Sequence, residues 1–148
     1  MHDQFKLDEP WNSPHNKPLL ARMPYVYGPF NGEPASEPYA TFYQVFVGKG
    51  AAFEGKNGMC LRNDFPDGPA TTFLIVEAGK AVPWTKPEDL PYTPDQPLPA
   101  LGGISKNGFR AAFVAGFVSF IKKDTSEAML RALITRNGGK KPEFDWND

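Results

Sequence analysis

The sequence has one cysteine, Cys60, and two histidines, His2 and His15, among its 148 residues. A single cysteine excludes an internal disulfide, a redox cysteine pair and a zinc site built on cysteine clusters. The histidines lie far apart in a polar N-terminal stretch, which argues against a histidine-based metal centre or a Ser-His-Asp triad. His15 stands in Ser-Pro-His-Asn, a setting more typical of a loop residue than of a catalytic base.

Long apolar runs and a surplus of positive charge are also lacking. The apolar runs are far shorter than the ~20 residues that a membrane helix needs, so the sequence predicts no membrane span in this chain. The opening residues are polar, unlike a signal peptide, and a chain complete as given is expected in the cytoplasm. Since 16 Lys+Arg balance 17 Asp+Glu without a visible basic cluster, nucleic acid is not an expected partner.

The length and composition predict one globular domain, residues 1–148. A chain of this size buries roughly 68–70% of its unfolded surface, which is enough for a real core. The 16 prolines and 14 glycines are more than usual. Because aromatic residues are interleaved with them, they predict long, stiffened loops rather than disorder.

The chain is organised around Thr71 to Leu90, an apolar segment that runs into a loop rich in proline and charge. The β-branched, aromatic and aliphatic residues from Thr72 to Ala78 predict a strand that Gly79 ends. Pro83 and Pro87 fix φ and remove backbone donors. Residues Val82 to Leu90 are therefore expected to form an ordered loop rather than part of a sheet interior or a regular helix.

Four further segments complete the predicted fold. Asn16 to Met23 predicts a short helix, and Tyr39 to Val47 predicts one strand with two largely apolar faces. Phe109 to Ile121 predicts a hairpin turning at Ala115-Gly116, and an Asp124-x-x-Glu127 capping box predicts the start of a C-terminal helix. The expected fold is α+β, with an antiparallel sheet of about four or five strands, a C-terminal helix and long Pro-rich loops.

Two carboxylates are the candidate catalytic residues. Glu77 shares a predicted strand face with Phe73 and Ile75, and a buried carboxylate must be paired or hydrogen-bonded. Glu77 opposite Asp89 would resemble a general acid and base pair in a small hydrolase. The competing interpretation, which we favour because no nucleophile or substrate pocket is specified, is that Glu77 accepts hydrogen bonds from the backbone of the Trp84 loop.

Aromatic and acidic loop residues suggest two kinds of binding. Trp11, Trp84 and Tyr92, with Trp146, Tyr25 and Tyr27, are candidates for a carbohydrate-binding platform beside Lys86, or for anchors that hold the loops to a small core. Loop aspartates could ligate calcium, although no EF-hand spacing is present. The calcium candidates are Asp64 and Asp67, with Asp89 and Asp95 as further loop acids.

Several long segments carry a resemblance: FKLDEPWNSPHNKPLLARMP, DGPATTFLIVEAGKAVPWTKPEDL and LGGISKNGFRAAFVAGFVSFI, with YQVFVG and LRALITRNGG. Over essentially the whole chain, the sequence resembles the planctomycete-type family catalogued as domain of unknown function 1559. The resemblance implies a pilin-like or pseudopilin-like head domain, exported to the cell envelope or beyond. Members of that family carry a prepilin-like N-terminal segment with a long apolar helix, which this sequence lacks.

The family signature of His, nine residues and Asp-Gly falls on Ser105 and Ala115-Gly116, so the histidine and the aspartate are both missing here. Three functions follow as hypotheses: a structural or assembly domain with pilin-type partners, a carbohydrate- or ligand-binding module, and an enzyme using Glu77 and Asp89. The first predicts self-association through an exposed apolar groove along Phe42, Phe46 or the Phe109 hairpin.

Overall fold

The computed structural model describes residues 2–29, 37–55 and 58–139. The strands are β1 (Ala40–Gln44), β2 (Phe46–Gly48), β3 (Phe73–Pro83), β4 (Leu90–Tyr92), β5 (Gly108–Phe113) and β6 (Val118–Lys122), and helix α1 is Glu127–Ile134. Short 3-10 helices cover His2–Gln4, Lys17–Arg22, Tyr25–Tyr27 and Pro69–Thr71. Within the described ranges, no helix has the length and apolar character needed to cross a membrane.

The main sheet has four antiparallel strands in the order β1-β3-β5-β6, and β2 and β4 form a small parallel pair. With α1 and the 3-10 helices, this is an α+β fold, as predicted. Helix α1 contributes Leu133 and Ile134 to the core, where they join Val76, Phe113 and Ile121 at 0–1% exposure. The predicted hairpin is confirmed: Gly116, with φ 92°, supplies the left-handed residue between β5 and β6.

The predicted strand from Tyr39 to Val47 is wrong as a single element, because it divides at Val45 between two sheets. Gln44 still pairs with Val76 of β3, and its side-chain amide donates to the Lys80 carbonyl oxygen at 2.8 Å. The Val45 carbonyl oxygen instead accepts the Leu90 amide at 2.9 Å, which brings β2 alongside β4. Alternation alone could not place this break, since apolar residues continue through it.

The predicted end of the central strand at Gly79 is also wrong, because β3 continues to Pro83. Gly79 donates to the Ala100 carbonyl oxygen at 2.7 Å, and an added Cβ would lie 2.6 Å from the Ala100 Cβ, so glycine here allows a close approach of two backbones. Beyond Gly79, β3 pairs only with β1 among the described strands. Pro83 is tolerated there because an edge position does not need its missing N–H.

The N-terminal helix is a 3-10 helix, Lys17–Arg22, and Asn16 does not cap it with its side chain. The Asn16 side chain instead donates to the carbonyl oxygens of Lys6 and Pro10, at 2.9 and 3.0 Å, and accepts the Lys6 amide at 3.0 Å. Pro18 at the helix start removes a backbone donor. Asn16, at 2% exposure, thus holds the N-terminal segment together from inside.

The C-terminal helix starts two residues later than the capping box predicted. Ser126 is the N-cap, and its hydroxyl oxygen accepts the Met129 amide at 3.2 Å, while Glu127 pairs with Arg131 across one turn. We expect Ser126→Ala to lower the free energy of unfolding by about 1 kcal/mol, and Asp124→Ala to lower it clearly less. Chemical denaturation of both variants measures this, and a larger loss for Asp124→Ala than for Ser126→Ala would return the cap to Asp124.

Arg136 ties the end of the described chain to the loop between β2 and β3. Its amide donates to the Gly50 carbonyl oxygen at 2.8 Å, its guanidinium donates to the Asp64 carbonyl oxygen at 3.0 Å, and Nη2 contacts Glu54 Oε2 at 2.7 Å. The hydrogen bond from Arg136 lowers the pKa of Glu54, with a further contribution from the Gly50 amide. These contacts fix a loop that has little regular structure of its own.

Candidate functional site

Glu77 is the most deeply buried charged residue at a candidate position, with 1% of its surface exposed. Its Oε2 accepts the backbone amide of Arg110 at 2.8 Å, and its Oε1 lies 3.9 Å from Arg110 Nη1. The predicted hydrogen-bonded carboxylate is therefore present, but its backbone partner is β5 rather than the Trp84 loop. Arg110 was missed by sequence reasoning, although in Phe-Arg-Ala-Ala-Phe it alternates with buried apolar residues.

The position of Glu77 follows from a fork in the sheet. The β3–β5 ladder runs from Phe73 to Val76. Beyond Val76, the segment around Gly102 lies next to β3 in place of β5, and the Gly102 amide donates to the Glu77 carbonyl oxygen at 2.9 Å. The Arg110 amide lies beyond the end of this ladder and donates its hydrogen bond to the Glu77 carboxylate. A buried amide needs such an acceptor, so Glu77 has a structural task at this fork.

Asp89 lies at the start of β4, in different surroundings from Glu77. Partial burial raises the pKa of Asp89, and a backbone hydrogen bond with Val45 opposes this. Glu77 contacts Arg110, whereas Asp89 contacts Val45, and the described residues show no contact between the two carboxyl groups. An acid and base pair needs both groups at one substrate. The hypothesis of an enzyme built on these two residues gains no support from this geometry.

Trp84 anchors the N-terminal segment. Its indole Nε1 donates to the Leu20 carbonyl oxygen at 3.0 Å, and its ring packs against Phe5 and Tyr27, with centroids 5.9 and 5.3 Å away. Tyr92, at 5% exposure, packs edge-on against Phe46 in the core. The carbohydrate hypothesis requires an exposed row of aromatic rings that includes Tyr92. This prediction is wrong, because Tyr92 faces the core of the domain.

The other candidate binding residues are separated from this cluster. Lys86 forms an ion pair with Glu88, which lowers the pKa of Glu88. Trp11 is half-buried in the N-terminal segment. Tyr25, with 91% of its surface exposed, has no described ring contact, and Trp146 lies outside the described residues.

The calcium candidates are used within the protein. Asp64 Oδ2 accepts the Cys60 amide at 2.6 Å, and both carboxylate oxygens of the buried Asp67 accept the Gly139 amide, at 3.2 and 3.0 Å. Asp89 and Asp95 lie elsewhere in the sequence, and the part of the chain that the structure describes contains no group of acids, histidines and cysteines suited to a metal. Asp64 and Asp67 therefore serve as turn and loop acceptors.

One face of the main sheet is only partly covered by the described residues and exposes apolar side chains. Register places Ile75, Ala112 and Val118 side by side on β3, β5 and β6, with Arg110 next to Phe120. Ile75, Val118 and Phe120 are 38%, 63% and 38% exposed, and the Arg110 guanidinium carbon lies 6.0 Å from the Phe120 ring centroid. We call Ile75, Arg110, Ala112, Val118 and Phe120 the open face.

The open face matches the groove expected from the sequence only in part. Phe46 and Phe109 are each 4% exposed and belong to the core, so neither side chain lines an exposed groove, but the hairpin that Phe109 begins does carry the exposed Val118 and Phe120. Phe42 is half-buried. Val118 and Phe120 were missed individually because alternation in β6 fixes two faces but does not say which one α1 covers.

Comparisons of this chain with protein-family models, with curated proteins and with solved structures found no match.

Proposed function

We propose that this chain is a non-catalytic structural or assembly domain that associates with a second copy of itself through the open face and strand β6. The observation that carries the proposal is the position of Val118 and Phe120: they are exposed apolar residues on a strand that has a described neighbour, β5, on one side only. Natural proteins usually protect such an edge with charge, proline or a covering element.

A second copy suits this edge for a geometric reason. Two β6 strands related by a twofold axis can pair antiparallel, and each copy then presents the same apolar residues to the other. The main sheet would continue through the interface, and the open faces would adjoin.

The pilin-like head architecture and the cell-envelope location belong to this proposal as well, and they rest on the resemblance described above. Two structural features support a role without catalysis. Glu77 is used to satisfy a backbone amide, and Trp84 is used to anchor a segment. Each of the two side chains thus has a structural contact, while Glu77 Oε1 accepts no hydrogen bond among the described residues.

The matched test uses two exposed valines. We expect the molar mass of the unmodified protein, measured by light scattering across a concentration series, to rise from monomer to dimer. Val118→Lys should weaken the dimer by about tenfold or more in dissociation constant, because it sets two ammonium groups against each other in an apolar contact. Val26→Lys, at a site 73% exposed in the 3-10 helix beside β1, at the opposite edge of the main sheet from β6, should leave the dimer unchanged.

The alternatives have different signatures in the same experiment. A protein that remains monomeric at every concentration tested would overturn the proposal. Equal weakening by Val118→Lys and Val26→Lys would indicate nonspecific apolar association instead of pairing through β6. Circular dichroism of both variants checks that each retains the fold.

A further inference from the structure

A half-open cleft of about 490 Å³ lies between the segment from Leu98 to Lys106, the start of the β5–β6 hairpin and helix α1. Its volume is in the range of small-molecule sites, roughly 300–1,000 Å³. The cleft does not include the open face, Glu77 or Trp84. It therefore stands apart from the surfaces considered so far.

The interior of the cleft is apolar. Leu98, Leu101, Ile104 and Leu130 line it, and the three leucines also pack against the core. These side chains come from a loop, from the residue bridged to β3 (Leu101) and from helix α1, and they line the same cleft. A ligand with an apolar body would bury that body against them.

The cleft wall is fixed by backbone contacts. The amides of Gly102 and Gly103 donate to the carbonyl oxygens of Glu77 and Ala78, at 2.9 and 3.0 Å. Gly102 has φ 77°, and a Cβ there would lie 2.9 Å from the Gly108 carbonyl oxygen. Only glycine fits this conformation and this approach, and the hydrogen bonds to β3 hold the wall against the sheet.

The rim of the cleft is positively charged. Lys106, Lys122 and Lys123 line it, together with the hydroxyl of Ser105, and none of the described lining residues is acidic. Lys106 and Lys123 are exposed and make no ion pair with the described residues. Glu127, at the start of α1, pairs with Arg131 rather than with a lysine of the rim.

We propose that this cleft binds an organic anion with an apolar body, such as an acyl chain that ends in a carboxylate. The apolar part would occupy the hollow between the leucines, and the anionic group would lie at the rim between Lys106 and Lys123. Charge and shape are both needed, because an exposed lysine by itself contributes little to affinity. Ser105, at the position that the resemblance aligns with the family's histidine, supplies a neutral hydrogen-bonding group beside the anion.

Decanoate is the probe, and two-dimensional NMR of the full chain is the measurement. We expect saturable shift changes at the amides of Gly102, Gly103 and Gly108 and at the methyl groups of Leu101 and Leu130. Replacing Lys106 and Lys123 together by Gln should weaken binding by about tenfold. The matched control, Lys17→Gln with Lys80→Gln, removes two exposed lysines outside the cleft and should leave the affinity unchanged.

Three further ligands separate the contribution of the charge from that of the apolar body and identify the source of the anion. Methyl decanoate lacks the charge and inorganic phosphate lacks the apolar body, so each should bind much more weakly than decanoate. Vesicles that contain phosphatidylglycerol distinguish a free amphiphile from a membrane lipid as the source of the anion. The proposal is overturned if methyl decanoate matches decanoate, if the control pair has the same effect as the cleft pair, or if the protein sediments with vesicles but shows no shifts with decanoate.

Discussion

Glu77→Ala is expected to lower the free energy of unfolding by about 3–5 kcal/mol, measured by urea denaturation followed by tryptophan fluorescence. The change leaves the buried Arg110 amide without its acceptor, removes the charge near the Arg110 guanidinium and opens a cavity at the fork of the sheet. Few single substitutions in a domain of this size combine all three costs.

The isosteric variant Glu77→Gln separates these costs. It keeps an oxygen acceptor of the same shape for the Arg110 amide, so we expect a loss of only about 1–2 kcal/mol. Glu88→Ala, at an exposed ion pair, is the control and should change stability by less than about 1 kcal/mol. If Glu77→Ala were as stable as the unmodified protein, the carboxylate would have no structural task and a functional one would regain weight.

Gly108→Ala is the second large effect, with an expected loss of about 3 kcal/mol or more. Gly108 opens β5 with φ 154°, and an added Cβ would collide with the carbonyl oxygen of Ile121 on the paired strand. Backbone strain and overpacking each cost about 1–3 kcal/mol. Both strands of the hairpin would have to move, because neither colliding atom belongs to a flexible side chain.

The control for this prediction is another glycine. Gly58 is exposed and an added Cβ would meet nothing within 4 Å, so Gly58→Ala should change stability by no more than about 1 kcal/mol, in either direction. Thermal and urea denaturation of the two variants give the comparison. Equal stability of Gly108→Ala and Gly58→Ala would show that the start of the hairpin relaxes at little cost.

The sequence predicted the elements whose signals are local. The hairpin from Phe109 to Ile121 is readable because apolar residues alternate and Gly116 provides a turn, and helix α1 is readable from its periodic apolar residues. The break at Val45 was not readable, because its cause is the Leu90 amide in a distant segment.

The candidate site was likewise only partly predictable from the sequence. Glu77 is buried as predicted, but Ile75, placed on the same face by the prediction, is 38% exposed. The partner of Glu77 depends on where the β3–β5 ladder stops, which is a matter of register. The cleft was not predicted at all. It is formed by Leu98, Phe109 and Leu130, which come from a loop, from β5 and from α1, and no short motif marks such a combination.

The order of the strands also determines when the chain can fold. Strand β1 finds its neighbour only when β3 has been made, β2 waits for β4, and the loop from Gly50 to Asp67 waits for Arg136. Contacts of this long range slow folding, because a large loop must close before any of them forms. During synthesis, β1 and β2 therefore leave the ribosome before their partner strands exist, and their protection from aggregation begins only when β3 and β4 have been translated.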